Sequence, residues 1–113
     1  MLEYGYINLI GLLILPKRHV RDYFSLNKDE LLEIHDLIVS QRKLLEQFDD
    51  TISGFNIGMN CGETAGQTIF HCHVHLIPRR SGDVKNPRGG VRHVISGKGN
   101  YSIKDLIKKE DLL

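Results

Sequence analysis

The stretch GETAGQTIFHCHVHLIPRR, residues 62–80, decides the fold of this chain. Its second half places three histidines, His71, His73 and His75, at alternate positions between apolar residues. Because successive side chains of an extended strand point to opposite faces of a sheet, the three imidazoles should share one face and the intervening residues should face a core. The pattern predicts a strand over 71–77, closed by Pro78, with a histidine face that carries the chemistry.

Composition limits the classes of protein to which the chain can belong. Its 113 residues are 41% hydrophobic and 26% charged, as in an ordinary globular protein, and predict one domain over 1–113. The 15 basic and 14 acidic residues nearly cancel, so no nucleic-acid partner is indicated, whereas a local anion site is compatible. No apolar stretch is long enough to span a membrane. Cys61 and Cys72 form no disulfide framework or metal-ligand spacing, which favours free thiols and a cytoplasmic location.

The segment from Asn27 to about Asp49 predicts the one long helix of the chain. Its apolar residues recur at helical spacing, and Asn27 with Glu30 three positions later has the spacing of a capping box. Asn8 to Leu15 is a short apolar run ended by Pro16, which is typical of a buried strand. Three further elements are predicted: a strand over Phe55–Asn60, a short strand over Val91–Ile95 and a short C-terminal helix from Ser102, with Asp105 in its first turn.

Clustered histidines can indicate a metal site. Residues two apart on a strand are about 6.6 Å apart along its axis, so neighbouring imidazoles could share a zinc ion. His71 and His75 are about 13 Å apart along the strand, too far to share that ion easily. Further ligands would have to come from elsewhere, and no spacing points to one of His19, His35 or His93. A second interpretation, three buried structural histidines, requires several hydrogen-bond partners in the core.

The third interpretation is a catalytic face that handles anions. Imidazole is a nucleophile when neutral and a donor when protonated, and it titrates near neutrality. A central histidine could therefore attack phosphorus while its neighbours contact phosphate oxygens and serve the leaving group. The preceding segment supports this interpretation, because Gly62 and Gly66 allow backbone to approach a ligand and Gln67 and Thr68 add donors. Cys72, which alternates with the histidines, is interpreted as a small core residue.

The residues Asn60-Cys61-Gly62 and the run from Gly66 to Arg79 resemble the histidine triad (HIT) family. Within that family, the chain is most similar to the branch of dinucleoside polyphosphate hydrolases. The likeness covers roughly residues 8 to 101, and its flanking parts are Leu13–His19, Gly54–Gly58, Gly82-Asp83 and Pro87–Arg92.

The resemblance implies a division of labour among the three histidines. His73 would attack the α-phosphate and form a covalent nucleotidyl-histidine intermediate, which water or another acceptor resolves. His71 and His75 would position and neutralise the phosphate, with His75 near the leaving group. The implied phosphate-binding positions are Asn60, Gly66, Gln67 and Thr68. The histidine chemistry requires no metal or other cofactor, and a divalent cation such as Mg²⁺ could accompany the nucleotide.

The resemblance also implies a fold and partners. We expect an α+β domain with a HIT-like antiparallel sheet of about five strands, one long helix, a short C-terminal helix and an N-terminus shortened relative to the family. The expected ligand is a nucleotide or dinucleoside polyphosphate, and the expected assembly is a homodimer whose sheets join. Gly11 stands where the family usually has a histidine, and we expect most of the N-terminal helix and strands that line the family's nucleoside pocket to be missing from this chain. Both departures motivate an alternative, a nucleotide-binding or sensing module with little turnover.

Basic residues flank the predicted site on two sides. Lys17, Arg18 and His19 follow the first strand, and Arg79 and Arg80 follow the histidine strand. Contact with a polyphosphate and plain surface charge are both compatible with these positions, so the sequence leaves their role open.

Overall fold

One antiparallel sheet organises the first part of the chain. The computed structural model describes residues 2–7 and 11–99. The strands are β1 (Leu2–Ile7), β2 (Leu12–Pro16), β3 (Ile52–Gly58) and β4 (Val74–Arg80), in the spatial order β1-β2-β4-β3. All three pairings are antiparallel. The α+β architecture with one main helix is as predicted, and four strands are described where the sequence indicated about five.

The single long helix, α1 (Lys28–Phe48), begins where its capping residues predict. The side-chain oxygen of Asn27 accepts from the backbone N–H of Glu30 at 2.8 Å, and the Glu30 carboxylate accepts from the backbone N–H of Asn27 at 3.0 Å. This reciprocal pair satisfies two N–H groups that the first helical turn leaves without partners. The predicted helix and capping box are therefore confirmed.

The core lies between α1 and one face of the sheet. Ile34 of α1 packs on buried residues of the two central strands, each no more than 1% exposed: Leu12, Ile14, Val74 and Leu76. Burying one such side chain contributes roughly 1.5–3 kcal/mol. The alternation of buried and half-buried residues along β4 therefore orients the histidine face away from α1.

The strand bounds differ from the predicted ones. β4 begins at Val74 and includes Pro78, whereas the sequence predicted a strand over 71–77 that Pro78 closes. Proline is tolerated because the pairing of β4 with β2 ends at Leu76, opposite Leu12, so no ladder hydrogen bond on that side is lost at Pro78. β3 begins at Ile52, three residues earlier than predicted, and ends at Gly58. β1 was not predicted.

The chain divides into two compact units, and the described residues of the second unit are 84–99. The predicted strand over Val91–Ile95 is wrong, because Gly90–Val94 forms a 3₁₀-helix. Gly89 precedes it with φ at 88°, a left-handed conformation that starts a turn rather than a strand. The predicted helix from Ser102 lies outside the described residues. The single domain over 1–113 stays a prediction.

Candidate functional site

His73 and His75 lie on the sheet face opposite to α1. His75 is paired with Leu13 of β2 and with Gly58 of β3, so its side chain shares a face with that of Leu13 and lies beside the bare backbone of Gly58. His73 directly precedes β4 and is half-buried like His75, while Cys72 and Val74 are buried. The predicted separation of histidines from core residues is thus present, although His71 and His73 lie before the strand begins.

The ring of His73 is oriented by a backbone hydrogen bond. Its Nδ1 atom lies 2.8 Å from the carbonyl oxygen of His71. A carbonyl oxygen can only accept, so Nδ1 of His73 carries the proton and donates it. In the neutral ring, Nε2 of His73 is then the nitrogen with the free lone pair. This is the tautomer that a nucleophilic imidazole requires.

His71 has a different environment from the other two histidines. Its Nε2 donates to the carbonyl oxygen of Pro16 at 2.8 Å, and its Nδ1 is buried without a hydrogen-bond partner among the described residues. The ring of His19 stacks on it, with centroids 5.1 Å apart and planes inclined by 8°. This placement favours a supporting role over the predicted direct contact with phosphate, which stays a prediction.

His75 packs against His73 and is the histidine with a perturbed pKa. The two ring centroids are 5.1 Å apart in an edge-to-face arrangement, with planes at 70°. Burial lowers the pKa of His75, and the nearby ring of His73 lowers it further. His75 is therefore neutral over a wider pH range than a solvated histidine. A neutral imidazole can donate a hydrogen bond from one ring nitrogen and accept a proton at the other.

Gln67 stabilises the conformation of the loop over residues 60–68, which carries the predicted phosphate-binding positions. This side chain is 2% exposed, and its amide nitrogen donates to the carbonyl oxygens of Arg21 at 2.7 Å and Ile69 at 3.2 Å. Its amide oxygen accepts from the backbone N–H of Gly62 at 2.8 Å. Because both ends of the side-chain amide bind backbone groups, Gln67 has a structural role in this loop. Its predicted contact with phosphate stays a prediction.

Three other predicted phosphate-binding residues are open to solvent. Asn60, Gly66 and Thr68 are exposed, on either side of a short 3₁₀-helix, Glu63–Ala65. Gly66 follows this helix with φ at 94°, a conformation that a residue with a Cβ rarely adopts. The loop therefore places the exposed side chains of Asn60 and Thr68 beside the segment that leads into His71, whereas the backbone N–H of Gly66 donates to the carbonyl oxygen of Glu63 at 2.9 Å.

The arginines beside the site are committed to partners within the chain. Arg79 binds both carboxylate oxygens of Asp83, at 2.8 and 2.9 Å, and the side-chain oxygen of Asn56. Arg80 binds Asp49, with its Nη2 at 2.8 Å. These pairs favour a structural role for both arginines over attraction of a polyphosphate.

Arg18 has a comparable partner on the other side of the site. Two of its nitrogens contact the Glu30 carboxylate, at 2.7 and 3.1 Å, and one also donates to the Ser25 carbonyl oxygen at 3.0 Å. The hydrogen bond from Arg18 is the main cause of the lowered pKa of Glu30. Arg18 therefore ties the loop after β2 to the start of α1.

Cys72 lies in the core, as its alternation with the histidines predicted. Cys72 is 2% exposed, and burial raises the pKa of its thiol to about 11, as suits the predicted core residue. Within the residues that the structure describes, no group of three or more histidine, cysteine or acidic side chains is placed to hold a metal ion. Of the described helices, none has the length and apolar character needed to cross a membrane.

Comparison with known proteins identifies the class to which this fold and histidine cluster belong. Residues 10–82 match the HIT domain, and the chain belongs to the HIT family. It is similar to the asymmetrical bis(5'-nucleosyl)-tetraphosphatase of Schizosaccharomyces pombe, with 40% identity over 73 residues, covering 63% of this chain and 38% of the relative. It is also similar to the bifunctional bis(5'-adenosyl)-triphosphatase/adenylylsulfatase FHIT of Arabidopsis thaliana, with 34% identity over 90 residues, covering 73% and 48%.

A solved structure supports the same assignment. The HIT family protein of Bacillus anthracis superposes with a TM-score of 0.64 at 25% identity, covering 99% of this chain and 81% of that one. The two curated relatives are matched over less than half of their own length. The resemblance predicted from the sequence is confirmed, and both curated relatives bear the names of nucleotide hydrolases.

Proposed function

We propose that this protein cleaves dinucleoside polyphosphates, or related nucleotide phosphoesters and phosphoramidates, through a covalent intermediate on His73. The observation that carries the proposal is the hydrogen bond from Nδ1 of His73 to the carbonyl oxygen of His71. It leaves Nε2 of His73 as the nucleophilic atom and holds the ring in one orientation. The two hydrolases to which the chain is similar act on substrates of this class by their names.

In the first step, the Nε2 lone pair of His73 attacks the α-phosphorus. A P–N bond forms while the P–O bond to the remaining polyphosphate breaks, and that oxygen leaves with the bonding electrons. The attacking ring becomes positively charged as the bond forms. The carbonyl dipole of His71, already bonded to Nδ1–H, stabilises this charge without rearrangement of the site.

In the second step, water attacks the same phosphorus from the side opposite to His73. The P–N bond breaks, His73 regains its neutral ring, and a nucleoside monophosphate leaves. His75 is the group to accept the proton from water, because its lowered pKa keeps it neutral and its ring contacts that of His73. The exposed loop residues Asn60, Gly66 and Thr68 are assigned to the phosphate oxygens.

The adduct itself provides the test. The protein is incubated with diadenosine tetraphosphate labelled in the α-phosphate, quenched in alkali and assayed for bound label and for products. A phosphoramidate on histidine resists base and is lost in acid. His73→Asn keeps a donor near the His71 carbonyl but removes the nucleophilic nitrogen, so it should show no adduct and no turnover.

The matched control for this test is His93→Ala. His93 lies in the unit of residues 84–113, with its Nε2 2.7 Å from the carbonyl oxygen of Arg88. The His93→Ala variant should form the same adduct and the same products as the parent protein. Turnover by His73→Asn at the parent rate would refute the covalent mechanism.

The same histidine route requires no bound metal, and we propose that divalent cations act only on the nucleotide. Every step above uses histidine ring nitrogens, backbone groups and the polar loop side chains of this chain. The protein treated with excess chelator and then separated from it should therefore form the adduct at the parent rate. Loss of the adduct in an assay that already supplies Mg²⁺ with the nucleotide, with recovery when the protein is reloaded with Zn²⁺, would contradict this proposal.

The second candidate function is a nucleotide-binding module with little turnover. Gly11 supplies no side chain at the position where the resemblance places a histidine, and a Cβ there would lie 3.2 Å from the carbonyl oxygen of Leu76. Calorimetry with adenosine and guanosine nucleotides, run beside the hydrolysis assay, separates the candidates. Micromolar binding without product over hours would favour the binding module.

We also propose that two copies associate through β3. This strand lies at an edge of the described sheet, where backbone N–H and C=O groups can pair with an identical strand about a twofold axis. Ile57 of β3 is 50% exposed beside a groove of about 520 Å³ that helix α1 also lines. Light scattering after gel filtration should give a dimer for the parent and a monomer for Ile57→Lys. A monomeric parent would refute the proposal.

The cytoplasmic location stays a prediction.

A further inference from the structure

His19 covers one face of the His71 ring. The two rings are nearly parallel, with an angle of 8° and a centroid separation of 5.1 Å, within the range of favourable offset stacking. His19 is exposed and follows β2, whereas His71 is half-buried and precedes β4. The stack therefore joins the outer loop to the first histidine of the triad.

The His71 ring has few other constraints on its orientation. Its Nε2 makes one hydrogen bond, to the carbonyl oxygen of Pro16, and its Nδ1 is buried without a partner in the described part of the chain. A single hydrogen bond at one edge leaves the ring free to tilt about that bond. Contact with a second ring along one face opposes this tilt.

The orientation of His71 matters because its backbone carbonyl holds His73. That oxygen accepts from Nδ1 of His73 at 2.8 Å. The next residue, Cys72, donates its backbone N–H to the carbonyl oxygen of Val20 at 2.7 Å, one residue after His19. The segment 19–20 therefore contacts both the His71 side chain and the peptide unit that carries the His71 carbonyl, since the Cys72 N–H belongs to that same unit.

We propose that His19 is a positioning residue, which acts through His71 to orient the nucleophilic ring of His73. The ring contact of His19 is with His71. Its stack fixes the His71 ring, the fixed residue holds its carbonyl oxygen in place, and the carbonyl selects the Nδ1–H tautomer of His73. The expected effect of His19 on kcat rests on the proposed function. The expected effect of His19 on the tautomers of His71 and His73 does not.

The test compares His19→Ala, which removes the stack, with His19→Phe, which keeps an aromatic ring but no ring nitrogen. His19→Ala should lower kcat about two- to tenfold, the factor expected for loss of one aromatic pair, with KM changed less than about twofold. His19→Phe should restore most of kcat. Rescue by a ring without nitrogen is a result that a proton-transfer role for His19 would not produce.

A spectroscopic measurement on the free protein tests the structural part alone. Nitrogen-15 correlation spectra of labelled histidines report which ring nitrogen carries the proton, with His71→Gln and His73→Asn used for assignment. In the parent and in His19→Phe, His71 should be protonated at Nε2 and His73 at Nδ1. In His19→Ala, the His71 signals should move toward the average of the two tautomers.

The kinetic assay and the nitrogen-15 spectra can fail independently of each other. If the parent hydrolyses nothing, the proposed function fails and the spectra alone decide the role of His19. Unchanged His71 signals in His19→Ala would overturn the inference, as would an unchanged kcat in a hydrolytically active protein. Equal loss of kcat in His19→Phe and His19→Ala would also overturn it, because stacking would then not be the cause.

Discussion

The side-chain amide of Gln67 donates to the carbonyl oxygen of Arg21, joining two segments 46 residues apart at a distance of 2.7 Å. The same amide also binds the loop on its own side, at Gly62 and Ile69. One buried polar side chain thus connects the loop after β2 to the approach to the histidines. The site has its shape before any ligand arrives.

Replacement of Gln67 tests whether this side chain supports the fold or contacts substrate. Gln67→Ala removes three hydrogen bonds from a buried position, so the free energy of unfolding should fall by about 2–4 kcal/mol. Urea unfolding measures this change, and Thr68→Ala, at an exposed neighbour, should change it by less than about 0.5 kcal/mol. An unaltered unfolding curve with a raised KM would instead indicate a direct phosphate contact.

A pair of glycine substitutions isolates the backbone conformation of the same loop. At Gly66, where φ is 94°, an added Cβ meets no atom within 4 Å, so Gly66→Ala acts through the backbone alone. We expect a loss of about 1–2 kcal/mol in unfolding free energy. Gly58 is equally uncrowded and has no positive φ. Gly58→Ala should therefore be neutral or stabilising by about 0.4–1 kcal/mol, and equal losses at both sites would contradict this explanation.

The lowered pKa of His75 predicts a pH dependence of stability below neutrality. Burial, followed by the proximity of His73, keeps the pKa in the folded state below that in the unfolded chain, which is about 6.5. Below that pH the unfolded chain binds more protons at this residue than the folded one, so its contribution to stability falls as the pH decreases.

The measurement compares urea unfolding near pH 7.5 and near pH 5.5 in the parent protein and in His75→Gln. The variant lacks the titrating group, so its unfolding free energy should decrease less between the two conditions. An identical decrease in both proteins would show that His75 titrates normally in the folded state.

The lowered pKa of the Asp49 carboxylate predicts a second pH dependence of stability, at acidic pH. Hydrogen bonds from the Thr51 hydroxyl and then from Arg80 lower the pKa of Asp49 from 3.8 to about 2. Its stabilising contribution is complete above the unfolded pKa and is lost as the pH falls from about 4 to about 2. Asp49→Asn should be less stable than the parent near pH 7 and should show a shallower acid transition by circular dichroism. A parallel acid transition would refute the assignment.

Local patterns predicted most of the fold, because they depend on nearby residues. The periodicity of α1 and the pair Asn27 and Glu30 lie within one segment, and the structure has both the helix and the capping box. The alternation around His73 correctly separated core from site. The predicted strand over Val91–Ile95 failed because the left-handed Gly89 begins a turn there, which the apolar residues alone do not reveal.

The sequence predicts which residues belong to the candidate site, but not the contacts that those residues make. The partner of the His71 ring is the backbone carbonyl of Pro16, 55 residues away, and a backbone atom leaves no sequence signal. The stack with His19 likewise depends on how two distant segments meet. Gln67 was assigned to phosphate because its type can donate hydrogen bonds, whereas its burial follows from the path of the loop.

The ion pair between Arg18 and Glu30 joins the loop after β2 to the start of α1. Glu30 caps α1 through Asn27 and at the same time holds Arg18, so the segment from Arg18 to Asn27 is anchored at both ends. A swinging motion of this segment would uncap the helix and expose the buried Glu30 carboxylate. One carboxylate therefore couples the conformation of this segment to the first turn of α1, so a change in either one is felt by the other.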